Sequence, residues 1–349
     1  MTKKITFILG AGASKDFGLP TGAELTTAIA DKVDIRFRDG IEQISGDRTI
    51  TGALTQLARH PDGRQGDINP FLNAGWSIRD AMPQASSIDT FIDIHRQNKK
   101  LEVIGKLAIV SAVLDAERRS SLYIDPRQEE PRLPFGDVAS TWYSRLFQII
   151  AAECPKEQLE DRLKQVSFII FNYDRCLEHY LFHGLQNYYR INADEAAEIL
   201  STIAIVHPYG QVGDLPWQDR RAGIQFGSSA SSATLLSLSA RIKTFTEQIE
   251  SHVEIENLQQ LIVQSEIAVF LGFGFHTQNL KLLRSEQKTG IKRVFATAIG
   301  ISDSDCKVLS GEIESTMHPM WRSFDVQLRN GLDCIRLLDE YRRHLLLTV

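Results

Sequence analysis

The feature that most constrains this chain is a short, mostly apolar run that stops abruptly in small or polar residues. It occurs first at residues 5–14, "ITFILGAGAS". Such a run is too short for a helix and has no polar alternation, which marks a strand buried on both faces of a parallel sheet. The pattern returns in "SFIIFNYD" (167–174), "TIAIVHPYG" (202–210) and "IAVFLGFGF" (267–275). "IKRVFATAIG" (291–300) reads as a fifth strand, and "DCIRLLDEYRRHLLL" (333–347) as a short strand and a closing helix. Helical segments separate these runs. Thr21 and Glu24 have capping-box spacing, so a helix is expected from Gly22. Strands alternating with helices predict an α/β fold, a doubly wound parallel Rossmann-like sheet.

Residues 35–160 interrupt this alternation. From 35 to about 70 no periodicity stands out, and irregular chain is expected. From Ser86 to Ser120, and again in "VASTWYSRLFQIIAAE", the spacing is helical. The expected organisation is a Rossmann-like domain from 1–34 and 161–349, with a mostly helical insertion at 35–160. "SSASSATLLSLSA" (228–240) reads as a surface loop, followed by helical patterning to about 264.

In open parallel sheets ligands bind beyond the carboxyl ends of the strands, and four such ends here carry candidate residues. Gly10, Ala11, Gly12 and Ser14 form a turn whose backbone can approach a pyrophosphate. Strand–helix packing alone could also require those glycines. Asn172 can hold a ribose hydroxyl or a water; Asp174 suits a helix cap. His207 titrates near neutral pH and can serve as a general base. Gly272 and Gly274 offer a second close backbone approach, or a tight turn around Phe273 and Phe275. His179 and His183, four apart on one helix, lack the glutamate of a zinc-protease motif and read as packing or surface histidines. Neither a Walker A sequence nor a G-x-S-x-G elbow occurs.

Bulk properties narrow the classes further. A net charge of −5 over 349 residues disfavours sequence-independent nucleic-acid binding. No apolar run approaches the roughly 20 residues of a membrane span. The opening "MTKK" leads straight into a strand, without a signal-peptide pattern, so a cytoplasmic protein is expected. The four cysteines, Cys154, Cys176, Cys306 and Cys334, are widely spaced and form no C-x-x-C knuckle, so no zinc site is expected.

Taken in order, "GAGASKDFGLP", "FNYD", "IVHPYG" and "GFGF" resemble the sirtuin superfamily, and within it the bacterial sirtuin-like NAD hydrolases. "SSIDTFI" is also similar to a segment of that branch. The histidine motif departs from the usual H-G, since two residues separate His207 from Gly210, and Phe171 replaces the glutamine of the deacylases. The resemblance implies NAD+ as substrate, cleaved at the nicotinamide–ribose bond to nicotinamide and ADP-ribose, linear or cyclic. It implies that Gly10, Ala11, Gly12 and Ser14 hold the pyrophosphate. Pro20 and Thr21 would border the nicotinamide end and Asp174 would help seat it. Asn172 would place the attacking water or a ribose hydroxyl, His207 would take the proton, and Gly272 and Gly274 would contact the adenosine side. Deacylases of the superfamily carry a four-cysteine zinc ribbon, so its absence favours water as the nucleophile. An NAD-dependent deacylase and a non-enzymatic NAD-sensing or ADP-ribose-sensing subunit are the alternatives. The hydrolases are antiphage effectors, which implies homo-oligomerisation or a separate activating partner such as an ATPase or helicase.

Overall fold

The computed structural model describes residues 3–250, 252–318, 320 and 324–347. Its strands are β1 (Ile5–Leu9), β2 (Arg36–Arg38), β3 (Glu42–Ser45), β4 (Val166–Ile170), β5 (Ala204–Val206), β6 (Ile267–Leu271), β7 (Arg293–Thr297) and β8 (Asp325–Arg329). β2 and β3 pair as an antiparallel hairpin. The other six form one sheet in the order β5-β4-β1-β6-β7-β8, every neighbouring pair parallel. The chain winds outward from β1 through β4 to β5, returns to β6, and winds the other way to β8. That is the doubly wound, Rossmann-like arrangement, and its direction reverses between β1 and β6, where such sheets open a crevice.

The central strands have no solvent face. All of β1 and β6 is buried. Alternate side chains serve opposite faces. Phe7, Phe168 and Val269 join a core with the helices Trp142–Ala151 and Cys176–Tyr189. Ile8, Ile169 and Phe270 join another with the helices Gly22–Val33, Arg48–Ala58, Asn69–Ala81 and Lys99–Arg119. Residues 35–160, expected as an insertion, thus supply helices to both faces of the sheet and share its two cores.

Local signals explain several elements. Thr21 and Glu24 complete the capping box, and the helix runs Gly22–Val33 as expected. Three segments depart from expectation. Residues 35–70 are ordered into the hairpin and the helix Arg48–Ala58, which Asp47 caps by accepting from the amides of Thr49 and Ile50. The expected loop at 228–240 contains the helix Ser232–Ser239, capped by Ser231, because Leu235 and Leu238 are buried in the second core. The last strand is Asp325–Arg329, an edge strand, whereas Cys334–Glu340 is wholly helical under an Asp333 cap. In the patterned stretch to 264 the helices are Phe245–Glu250 and His252–Val263; residue 251 lies outside the described residues. Among the described residues no helix is long and apolar enough to cross a membrane.

Candidate active-site crevice

A cavity of 540 Å³ opens at the carboxyl ends of the sheet strands, within the size range of small-molecule sites. Gly10, Ala11 and Gly12 after β1 line its centre, with Gly272 and Gly274 after β6. On the β4 side the wall is Asn172, Tyr173 and Asp174; on the β7 side it is Thr297, Ala298 and Ile299. Pro20 and Thr21 also border it. The cavity therefore extends to both sides of the glycine turn.

The two glycine turns interlock. The Gly12 amide donates to the Gly272 carbonyl at 3.0 Å, and the Gly10 amide to the Leu271 carbonyl at 3.0 Å. A Cβ on Gly272 would lie 2.0 Å from the Ala13 nitrogen. Close approach of backbone to backbone is enough to require these glycines, whatever the ligand. From Ala11 the chain enters a 3₁₀ helix to Phe17, and the Trp142 indole N–H braces it by donating to the Ala13 carbonyl at 2.6 Å.

A short polar relay fixes Asn172. The Cys176 amide donates to Asp174 Oδ1 at 3.1 Å, Ser14 Oγ donates to Asp174 Oδ2 at 2.9 Å, and Asn172 Nδ2 donates to Ser14 Oγ at 3.0 Å. This leaves Asn172 Oδ1 as the free end. Asn172 is 8% exposed, and Oδ1 has no hydrogen-bond partner among the described residues. A buried acceptor without a donor costs about 1–3 kcal/mol, so a donor, water or ligand, is expected to reach it from the crevice. The N-cap position of the helix Cys176–Tyr189 is Arg175, and Asp174, one residue before it, accepts from the first helical amide and also orients Ser14. Burial is the largest influence on its carboxyl and holds its pKa above the ordinary value.

The structure does not bring the His207 ring to the crevice wall. It lies behind Asn172. Nδ1 donates to the Asn172 main-chain carbonyl at 3.1 Å, and Nε2 donates to Glu178 Oε1 at 2.7 Å. Burial opposes the imidazolium, but the Glu178 carboxylate outweighs it and the pKa is raised. A ring donating from both nitrogens has no lone pair to receive a proton. The general-base role expected of His207 is therefore not the one its contacts provide.

Several wall residues escaped the sequence reading. Ser87, Asp89 and Thr90 come from the start of the helix Ile88–Ile94, which Ser87 caps by accepting from the Thr90 amide. Tyr173 donates its hydroxyl to Asp89 Oδ1. Tyr209 donates to Asn279 Oδ1 at 2.7 Å. Burial pushes the Asp89 carboxyl up to about 7. Asp16 and Asp333 line the crevice on the β7–β8 side, and Lys15 also stands on its wall. The "SSIDTFI" resemblance was the one available pointer to Asp89; only the folded chain places it beside Tyr173. His179, by contrast, stacks on Phe226 with ring centroids 4.2 Å apart and donates from Nε2 to the Leu122 carbonyl, a packing role.

The architecture defines a Rossmann-like α/β protein with a crevice at the switch point of its sheet. No protein-family model matches the chain, and no curated protein matches it in sequence.

Proposed function

We propose that this crevice binds NAD+ and hydrolyses its nicotinamide–ribose bond, releasing nicotinamide and ADP-ribose. The observation that carries the reading is the unpaired, buried Asn172 Oδ1 beside the interlocked glycine turns. Its support is the order of the sirtuin-like motifs and a cavity with room on both sides of a turn suited to a pyrophosphate. The glycines present bare backbone to the phosphates, and Lys15 offers them a cation.

The chemistry suits this wall. Nicotinamide leaves as a neutral base from a pyridinium, so no acid is needed at the leaving group. Positive charge grows on the ribose as the bond lengthens. The Asn172 carboxamide oxygen presents a fixed negative dipole end to that charge and accepts from the attacking water or a ribose hydroxyl. The relay through Ser14 and Asp174 sets this orientation before the substrate arrives. His207 and Glu178 support it from behind, making His207 a positioning residue. An antiphage effector role, with assembly or a separate partner as the trigger, follows from the family resemblance alone.

Incubation with NAD+ and chromatography of the products tests the proposal, with and without proteins encoded beside this one. We expect nicotinamide and an ADP-ribose product, formed without acetylated peptide. Asn172→Ala is expected to lower release on the order of 10² or more, the scale of losing one preorganised transition-state contact. Full activity in that variant would remove the site assignment, and a requirement for acylated peptide would favour a deacylase.

A further inference from the structure

We propose that Asp89 is the carboxylate that accepts the proton of the attacking water in this crevice. The inference rests on the hydrolase reading above and assigns the group that reading leaves open. Water oxygen attacks the ribose C1′ as the C1′–N bond breaks. The bonding pair moves to the nicotinamide nitrogen and cancels its positive charge, and the water proton passes to Asp89 and then to solvent.

The argument is first geometric. Among the described residues four carboxylates line the crevice: Asp16, Asp89, Asp174 and Asp333. Asp174 has Ser14 on one oxygen and the Cys176 amide on the other. Asp333 Oδ1 caps a helix by accepting from the Arg336 amide at 2.8 Å. Asp16 is exposed at the rim. Asp89 is held on the β4–β5 side by the hydroxyl of Tyr173, the residue next to Asn172. The group and the orphaned Asn172 oxygen thus share one wall and one supporting loop. His207, the other candidate base, has both nitrogens committed as donors.

The electrostatic surroundings fit the role. Burial is the largest influence on the carboxyl and sets it near the working pH, where a general base is most effective. Tyr173 and Tyr209 face it from the ends of β4 and β5. Asp93 lies one turn along its own helix, and His276 stands on the same crevice wall. Lys106, on one of the helices packed beside it, is shared by Glu102 of the same helix at 3.0 Å and by Glu247 of the other helix at 2.8 Å. Glu24, on the remaining neighbouring helix, is taken up by its capping box with Thr21.

The test is nicotinamide release from NAD+ between pH 5 and 9, with NAD+ binding measured by calorimetry on the same proteins. In the wild type, kcat/KM is expected to fall as pH drops through about 7, because protonated Asp89 cannot accept a proton. Asp89→Asn is expected to lose 10²–10⁴ in kcat and to lose that acidic limb, while binding stays within a few-fold. Asp89→Glu keeps the limb and part of the rate. His207→Gln slows turnover but leaves the limb where it was. A second readout needs no turnover. A carboxyl whose folded pKa lies above its unfolded value destabilises the fold progressively as pH rises from the unfolded value of 3.8 to about 7, and the loss levels off above that. Asp89→Asn should therefore raise Tm at pH 8 and not at pH 4. Wild-type turnover with an unchanged limb in Asp89→Asn overturns the assignment alone, as does loss of the limb in His207→Gln. No nicotinamide release by any form, with or without partner proteins, overturns both this and the hydrolase reading.

Discussion

Truncating Glu117 to alanine is expected to cost the protein about 3–5 kcal/mol, the range for removing one partner of a buried ion pair. Glu117 and Arg175 are both 0% exposed. Arg175 Nε donates to Glu117 Oε1 at 3.0 Å, and its Nη2 bonds Oε2. The Gly227 amide adds a 2.9 Å bond to Oε2, and Arg175 Nη1 reaches the Ile224 carbonyl at 2.9 Å. The cluster ties the end of the helix Lys99–Arg119 to the residue after Asp174 and to the loop at 224–227. Without Glu117 the guanidinium stays buried with three carbonyls, those of Asp214, Ile224 and Gln225, and no counter-charge. Because Arg175 follows the Asn172–Asp174 stretch directly, the same change should also lower nicotinamide release. Urea unfolding measures the first effect through a lower midpoint at constant slope. Exchanging the pair for apolar residues, Glu117→Leu with Arg175→Met, removes both charges and should recover much of the stability. A loss below about 1 kcal/mol for Glu117→Ala would mean that water reaches the site and the pair is not desolvated as its burial indicates.

How much of this was legible in the sequence depends on what each segment buries. Strands such as Ile5–Leu9 and Ile267–Leu271 lie inside a parallel sheet and read as continuous apolar runs, so their positions and glycine turns stand out without a structure. The Thr21–Glu24 box is local chemistry and is equally plain. The helix Ser232–Ser239 is written mostly in serine, threonine and leucine, and only burial of Leu235 and Leu238 against other helices decides its state. Asp325–Arg329 is an edge strand with charged and polar residues, so the more apolar "CIRLL" competes with it for the assignment. The site divides the same way. Asn172 is visible because a strand end is visible. Asp89 arrives from 83 positions earlier in the chain, on a helix that only tertiary packing carries to Tyr173. The contacts of His207 were not legible because its pairing with Glu178 joins a strand end to a buried helix position. No spacing rule expresses that contact.

The interlock of the two glycine turns leads to the other large expected effect, for Gly272→Ala. Gly272 has φ +56°, where an alanine costs roughly 1–2 kcal/mol from its own backbone. Its Cβ would also fall 2.0 Å from the Ala13 nitrogen and 2.3 Å from the Gly12 carbonyl carbon. These are main-chain atoms with no side-chain freedom to absorb the clash, so overpacking adds roughly 1–3 kcal/mol. The sum is about 2–5 kcal/mol. Gly300→Ala supplies the control. Gly300 has φ +81° with nothing within 4 Å of its added Cβ, so only the backbone cost of about 1–2 kcal/mol applies there. Urea midpoints for the two variants separate conformational strain from interlock. Equal losses would show that the turns slide apart easily and that the close approach in the crevice floor is soft. A larger loss at Gly272, accompanied by weaker NAD+ binding that Gly300→Ala leaves intact, is the result expected if one rigid backbone seam both closes the sheet and shapes the floor on which the dinucleotide rests.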